Sequence, residues 1–189
     1  MEKLWRHISF STSAGVTSTD EIWGSDEAAP YLRSVPCKFD EEEPWSSWIV
    51  ELPWKMLEDR IREKGEGTVL RSVTVTRRSE SGAATALEAV SDKDSCIIEN
   101  EYEIRKFLAP VNCMITEKDG TETAGGSLLP SAYFELERTQ NGNLQVRGKG
   151  YGHGVGMSQT GADKMAEQGY DYREILDYFF RNITVENLG

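Results

Sequence analysis

Between Gly148 and Gly156 every second residue is glycine, in the run Gly148-Lys149-Gly150-Tyr151-Gly152-His153-Gly154-Val155-Gly156. Alternating glycine weakens a strand, through backbone entropy and lost side-chain packing. A chain tolerates this where another backbone, an aromatic ring or a ligand must come close. The spacing fits neither a dinucleotide-binding glycine fingerprint nor a phosphate loop, since no Gly-Lys-Ser/Thr follows. His153 sits in the middle, flanked by residues that cannot shield it. Two readings stay open: a histidine bonded to backbone in a tight strand-to-helix turn, or a ligand-facing donor and acceptor. Ser158 and Gln159 favour the second, because they fall at the start of a helix whose first N–H groups lack intrahelical partners. Hydroxyl, amide and imidazole groups together suit sugar hydroxyls and N-acetyl groups, which need neutral partners in both directions.

The elements around this segment are short. Ile8-Ser9-Phe10 reads as a strand, and Ser11 to Asp20 as a hydroxyl-rich loop. The stretch Ile22–Trp48 holds three prolines and reads as long, irregular and surface-lying, pinned by Trp23, Tyr31, Trp45 and Trp48. Ser47–Leu52 reads as a strand. Pro53 then opens a helix with an apolar stripe of Trp54, Leu57 and Ile61, stopped at Gly65. Val69–Arg77 and Thr85–Val90 alternate with period two about a Ser81-Gly82 turn. Asn100 to Glu103 has capping-box spacing, for a helix through Ile104, Phe107 and Leu108 that ends before Pro110. Asp119-Gly120 and Asn141-Gly142 are hairpin turns. The second lies between the matched pairs Phe134, Leu136 and Leu144, Val146, so it predicts two paired strands leading into the glycine-rich run. Ala162, Met165 and Ala166 form the face of one further helix. Asp171 and Glu174 cap a last one, with Ile175, Leu176, Phe179 and Phe180 inward. The fold class is α+β, with mainly antiparallel strands and terminal helices after a Gly-rich strand, in one domain over 1–189.

Charge narrows the partners. The net charge is −11, which opposes nucleic-acid phosphates and anionic lipid. Asp40-Glu41-Glu42-Glu43 reads as a solvated loop. With three cysteines, Cys37, Cys96 and Cys113, no Cys-x-x-Cys pair and two histidines, His7 and His153, no metal site is expected. The thiols read as small buried hydrophobes, with a Cys96–Cys113 disulfide as the alternative. Met1 to His7 has no apolar core, so no signal peptide is read there, and no stretch reaches the length of a membrane span.

Tyr151 to Ala162 closely resembles the GHGVGMSQxGA signature of the SpoIID/LytB family. Met165-Ala166 and Gly169–Phe180, including Glu174-Ile175-Leu176, continue it. Phe10 to Gly15, Glu21-Ile22-Trp23-Gly24 and Tyr31 to Val35 resemble that family's STSGG, VWG and PYLRSV blocks. Tyr102-Glu103-Ile104-Arg105 and Leu129-Pro130-Ser131 with Phe134 resemble its connecting elements. The match runs from about residue 8 to 185. Ala14 stands where the family usually has glycine. The family's N-terminal portion carries a glutamate in an alanine-rich stretch, and nothing here matches it. The chain is therefore expected to be a C-terminal part, truncated ahead of that portion.

The resemblance implies a peptidoglycan-binding part of a lytic transglycosylase that cleaves between N-acetylmuramic acid and N-acetylglucosamine. In such chemistry a protonated carboxyl assists the leaving oxygen while the muramyl C6 hydroxyl closes on the anomeric carbon. The alternative is a non-catalytic, LytB-like glycan-binding module or amidase modifier. Glu21, beside Trp23, is the one catalytic candidate, an aromatic neighbour being able to raise its pKa. Substrate-binding candidates are Ser11, Thr12, Ser13, Tyr151, His153, Ser158 and Gln159, with the Ser11–Ser13 cluster and the His153–Gln159 pair expected on facing walls of one groove. Expected partners are peptidoglycan glycan strands and cell-wall amidases, with no cofactor. The full-length family member is expected to be extracytoplasmic or in the cell envelope.

Overall fold

A computed structural model describes residues 8–25 and 29–185. The signal-peptide reading of Met1 to His7 lies outside the described residues. In chain order the elements are β1 (Ser9–Phe10), β2 (Trp48–Leu52), α1 (Trp54–Glu63), β3 (Leu70–Arg78), β4 (Ala84–Ser91), β5 (Ser95–Glu99), α2 (Glu101–Phe107), β6 (Met114–Glu117), β7 (Glu122–Ala124), β8 (Phe134–Arg138), β9 (Leu144–Gly148), β10 (Met157–Ser158), α3 (Gln159–Glu167) and α4 (Tyr172–Phe179). The strands form three sheets. Five run antiparallel in the order β7-β6-β2-β9-β8, three in the order β3-β4-β5, and β1 lies parallel to β10. The fold is α+β with mainly antiparallel strands.

β2 shows why the central sheet forms. Trp48, Val50 and Leu52 are buried while Ile49 and Glu51 are exposed, the period-two pattern of a sheet with one face on the core. Its register sets Val50 opposite Val146 and Leu52 opposite Leu144. Phe134 and Leu136 then meet Gly148 and Val146 from β8. The Asn141-Gly142 turn closes this hairpin, with Gly142 at φ +80° and its N–H on the Thr139 carbonyl. α1 lays Leu57 and Ile61, one turn apart, onto the sheet core. Each such side chain contributes about 1.5–3 kcal/mol by leaving water.

A second apolar cluster gathers Ile22, Leu32, Val35, Tyr133, Val155, Met165, Ile175, Phe179 and Phe180. The clusters meet where Ala83–Ala84 and Tyr133–Phe134 each give one residue to either side. α3 and α4 close this core, with Met165 buried, Ala162 half-buried and Ala166 left in solvent. The Asp171–Glu174 capping box is complete. At α2 the Asn100 side chain accepts the Glu103 N–H at 3.0 Å.

Three expectations need correction. The stretch from Ile22 to Trp48 is irregular but not simply surface-lying, because Ile22, Leu32, Val35 and Cys37 are buried in the second core. Its backbone needs no ladder, since Val35 exchanges hydrogen bonds with Thr17 and Cys37 donates its N–H to the Gly15 carbonyl, which satisfies polar groups that burial would otherwise orphan. Trp23 is 42% exposed and packs edge-on against His153 rather than into either core. Asp40 is not part of a solvated acidic run but is 1% exposed. β5 went unread, because the Ser95–Glu99 run buries only Ile98 fully and leaves Ile97 in water.

Candidate functional site

The glycine-rich run crosses between the two cores, and its glycines admit protein rather than solvent. A side chain at Gly148 would enter the Trp48 indole, and one at Gly150 would lie 2.8 Å from the Thr12 carbonyl. The indole N–H of Trp48 donates to the Gly150 carbonyl at 2.9 Å. Thr12 and Tyr151 exchange both backbone bonds, at 3.1 and 2.8 Å. Gly152 donates its N–H to the Pro130 carbonyl. The run is thus tied to the Ser11–Ser13 loop on one side and to the 129–133 segment on the other.

His153 is half-buried at the end of this run. Its Nδ1 accepts the Val155 N–H at 3.1 Å, so the proton of the neutral ring belongs on Nε2. Burial lowers its pKa and the nearby Arg105 charge lowers it further, while a hydrogen bond to the Ser9 backbone pulls the other way. Burial and the Arg105 charge thus favour the neutral imidazole. The ring is wedged between Trp23, at 5.1 Å and edge-on, and Phe10, at 5.8 Å. The nitrogens of His153 serve the backbone, as in the first of its two readings, and its ring stands beside an exposed tryptophan.

The Ser11–Ser13 loop is in direct contact with the start of α3, at Ser158 and Thr160, with no groove between them. Thr12 Oγ1 lies 3.1 Å from Thr160 Oγ1. The Ser11 carbonyl accepts from the Thr160 N–H at 2.9 Å and the Ser158 hydroxyl at 3.2 Å. Ser158 caps α3 through the Gly161 N–H. The N-terminus of α3 therefore spends its Thr160 and Gly161 donors inside the protein, contrary to the expectation that they stay free. Thr12, Ser13 and Ser158 are buried. Ser11, Tyr151, His153 and Gln159 keep surface, and Gln159 donates from Nε2 to the Ser9 hydroxyl at 3.1 Å.

Beneath this wall lies Asp40, a residue the sequence reading missed. Its carboxylate accepts the Ser13 hydroxyl at 2.6 Å, the Ser13 N–H at 2.8 Å, the Ser158 hydroxyl at 2.6 Å and the Cys37 thiol at 3.6 Å. Burial, with the Asp40 charge adding to it, pushes the Cys37 thiol up to about 12, so it stays protonated and inert. Cys96 and Cys113 are also free thiols rather than a disulfide. Arg105 was missed too, although Glu101 four residues earlier on α2 was a readable pairing signal. The pair is buried at 2.5 Å, and Arg105 also donates to the Leu129 and Pro130 carbonyls.

Glu21 is exposed and accepts the Thr19 hydroxyl at 2.9 Å. Three carboxylates are buried among the described residues: Asp40, Glu101 and Glu117. All three accept hydrogen bonds from hydroxyl or guanidinium groups. No group of three or more His, Cys, Asp or Glu side chains that could hold a metal ion occurs among the described residues. No described helix is long and apolar enough to cross a membrane.

Comparison with known proteins agrees with this frame. Residues 33–156 match a family described as Domain of unknown function (DUF8618), and belong to it. Stage II sporulation protein D of Bacillus amyloliquefaciens is 30% identical over 176 residues, 93% of this chain and 43% of that protein. Its Bacillus subtilis (strain 168) counterpart is 28% identical over 177 residues, with the same coverage of 93% and 43%. The Amidase enhancer of Bacillus subtilis (strain 168) is 38% identical over 61 residues, 32% of this chain and 8% of that protein. The chain belongs to the SpoIID/LytB family. This SpoIID/LytB chain spans less than half the length of the two sporulation proteins it matches. In SpoIID/LytB terms, the glycine-rich signature is a structural seam between two cores, and what it presents to solvent is Tyr151, His153 and the first turn of α3.

Proposed function

We propose that the chain is the peptidoglycan-glycan-binding part of a SpoIID-like lytic transglycosylase acting between N-acetylmuramic acid and N-acetylglucosamine. The observation that carries this reading is the ring pair of Trp23 and His153, with the Gln159 amide bonded to the Ser9 hydroxyl next to the imidazole and Tyr151 exposed two residues along the chain. Aromatic rings with neutral donors and acceptors match a pyranose, whose C–H face is apolar and whose edge is polar. A lowered His153 pKa fits a neutral ligand, and the net charge of −11 gives no attraction for an anionic one. The likeness to proteins named Stage II sporulation protein D supports a role at the cell wall, with the cell envelope as its place of action.

The chain by itself binds without cutting. A lytic transglycosylase needs a carboxyl kept protonated near neutral pH. Among the described residues each buried carboxylate is already engaged, and Glu21 is solvated. The 61-residue likeness to the Amidase enhancer favours a second reading, a module that modifies a cell-wall amidase. Both readings share the glycan site and differ in the presence of an acid.

Sedimentation with purified sacculi tests the proposal. The chain is expected to co-sediment, to lose most of that retention in Trp23→Ala, and to release no anhydromuropeptides. A chain that stays in the supernatant contradicts glycan binding. Anhydromuropeptides released by the chain alone contradict the non-cutting reading and make Glu21 the acid.

A further inference from the structure

Tyr151, two residues from His153, borders a cavity of about 310 Å³ that is also walled by Trp45, Arg105, Ser127, Leu129 and Pro130 among others. That volume is at the small end of small-molecule sites. Trp45 and Tyr151 stand 4.7 Å apart with their rings at 62°, making an aromatic corner at its mouth. Tyr151 is 43% exposed there although it is a large apolar ring. The floor is rigid. Arg105 is 9% exposed, and its donors are held by Glu101, Leu129 and Pro130. The opposite rim, from Thr123 to Leu128, is polar and small, with Gly126 and Ser127 in solvent. Two links join this cavity to the first site. Tyr151 is two residues from His153, and the Arg105 charge is felt by the imidazole.

We infer that this cavity is a second sugar subsite, taking one N-acetylhexosamine unit of a strand whose neighbouring unit lies against Trp23 and His153. The inference rests on the glycan-binding reading of the first site and adds where the strand runs. Arg105 is a weak draw for an anion, because its charge is matched by Glu101 and each of its three nitrogens already donates a hydrogen bond. What remains on offer is an aromatic corner, backbone carbonyls and a hydroxyl, the neutral set a pyranose with an N-acetyl arm uses. Closed floor and open rim suit a unit held within a chain, with its ends free to continue.

Oligomers of N-acetylglucosamine from two to five units test this by calorimetry. For the wild-type chain, affinity is expected to rise stepwise once the oligomer is long enough to reach the Trp45 corner. Trp45→Ala is expected to remove that step, weakening the longer oligomers about fivefold to tenfold and leaving the shortest unchanged. Trp45 also packs on the core, so Trp45→Phe, which keeps a ring, is expected to retain most of the step. Ser127→Tyr fills the cavity from an exposed loop position and is expected to abolish the step in a chain that stays folded. If the wild-type chain binds no oligomer, the glycan reading itself fails. If it binds them but Trp45→Ala and Ser127→Tyr match wild type at every length, only the second subsite is overturned. Trp45-dependent binding of a free stem peptide, with no length effect among glycans, also overturns it.

Discussion

Asp40 accepts hydrogen bonds from Ser13, Cys37 and Ser158, on three separate stretches of the chain. A buried carboxylate held by such donors is stabilising when all of them are in place and costly when one is lost. Removing the acceptor leaves buried donors unmet at about 1–3 kcal/mol each. Asp40→Ala is therefore expected to destabilise the chain by more than about 3 kcal/mol in urea titrations, and Asp40→Asn by less, since one acceptor oxygen remains. An Asp40→Ala chain within 1 kcal/mol of wild type would show that the Ser13 loop does not depend on this carboxylate. His153 acts in the opposite electrostatic sense. Its folded pKa lies below the ordinary 6.5, so the unfolded chain takes up the proton first. Its contribution to stability is full above that value and is lost as the pH falls through the lower folded value. The pH-dependence of unfolding between pH 8 and pH 5 is expected to flatten in His153→Gln. An identical profile in the variant would mean the imidazole is solvated like a free one.

Among the elements, the glycine-rich run has the least freedom to change. Gly150 sits at φ +74°, and a methyl group there would press on the Thr12 carbonyl at 2.8 Å and the Ala14 nitrogen at 2.9 Å. Left-handed backbone costs an alanine about 1–2 kcal/mol, and overpacking about 1–3 kcal/mol more. Gly150→Ala is expected to lower the melting temperature by about 5–15 °C at this chain length. A variant melting with the wild type would mean that the loop carrying Ser11–Ser13 moves away freely. Elements with local signals were legible: the Asn141-Gly142 hairpin, the α1 stripe of Leu57 and Ile61, and the Asp171 capping box all lie where turn chemistry and periodicity put them. β5 was not legible, because Ile97 and Ile98 break the alternation. The buried role of Asp40 was hidden by Glu41 to Glu43 beside it, since a run of acids reads as solvent-facing and only long-range contacts decide otherwise.

At the scale of the whole molecule, two cores meet along one seam, and the seam carries both the family signature and the exposed aromatic residues. The sequence resemblance located that region, but it could not separate residues that build the wall from residues that face outward. Thr12, Ser13 and Ser158 were read as ligand-facing because they are polar. The structure buries them, with their hydroxyls bonded inside the protein. Tyr151, His153 and Gln159 keep surface, and Trp23 and Trp45 join them from the irregular stretch between Ile22 and Trp48. Such partners come from distant parts of the chain, and no local pattern announces them. The central claim is that these surface residues bind a neutral glycan strand. Its most direct test is equilibrium titration of an uncharged tetrasaccharide of N-acetylglucosamine into the wild-type chain and into Gln159→Ala. The account predicts saturable one-to-one binding, weakened roughly fivefold by loss of one neutral hydrogen bond of about 1 kcal/mol in a variant that melts like wild type. Equal affinity in the two chains, or no binding to either, would contradict it.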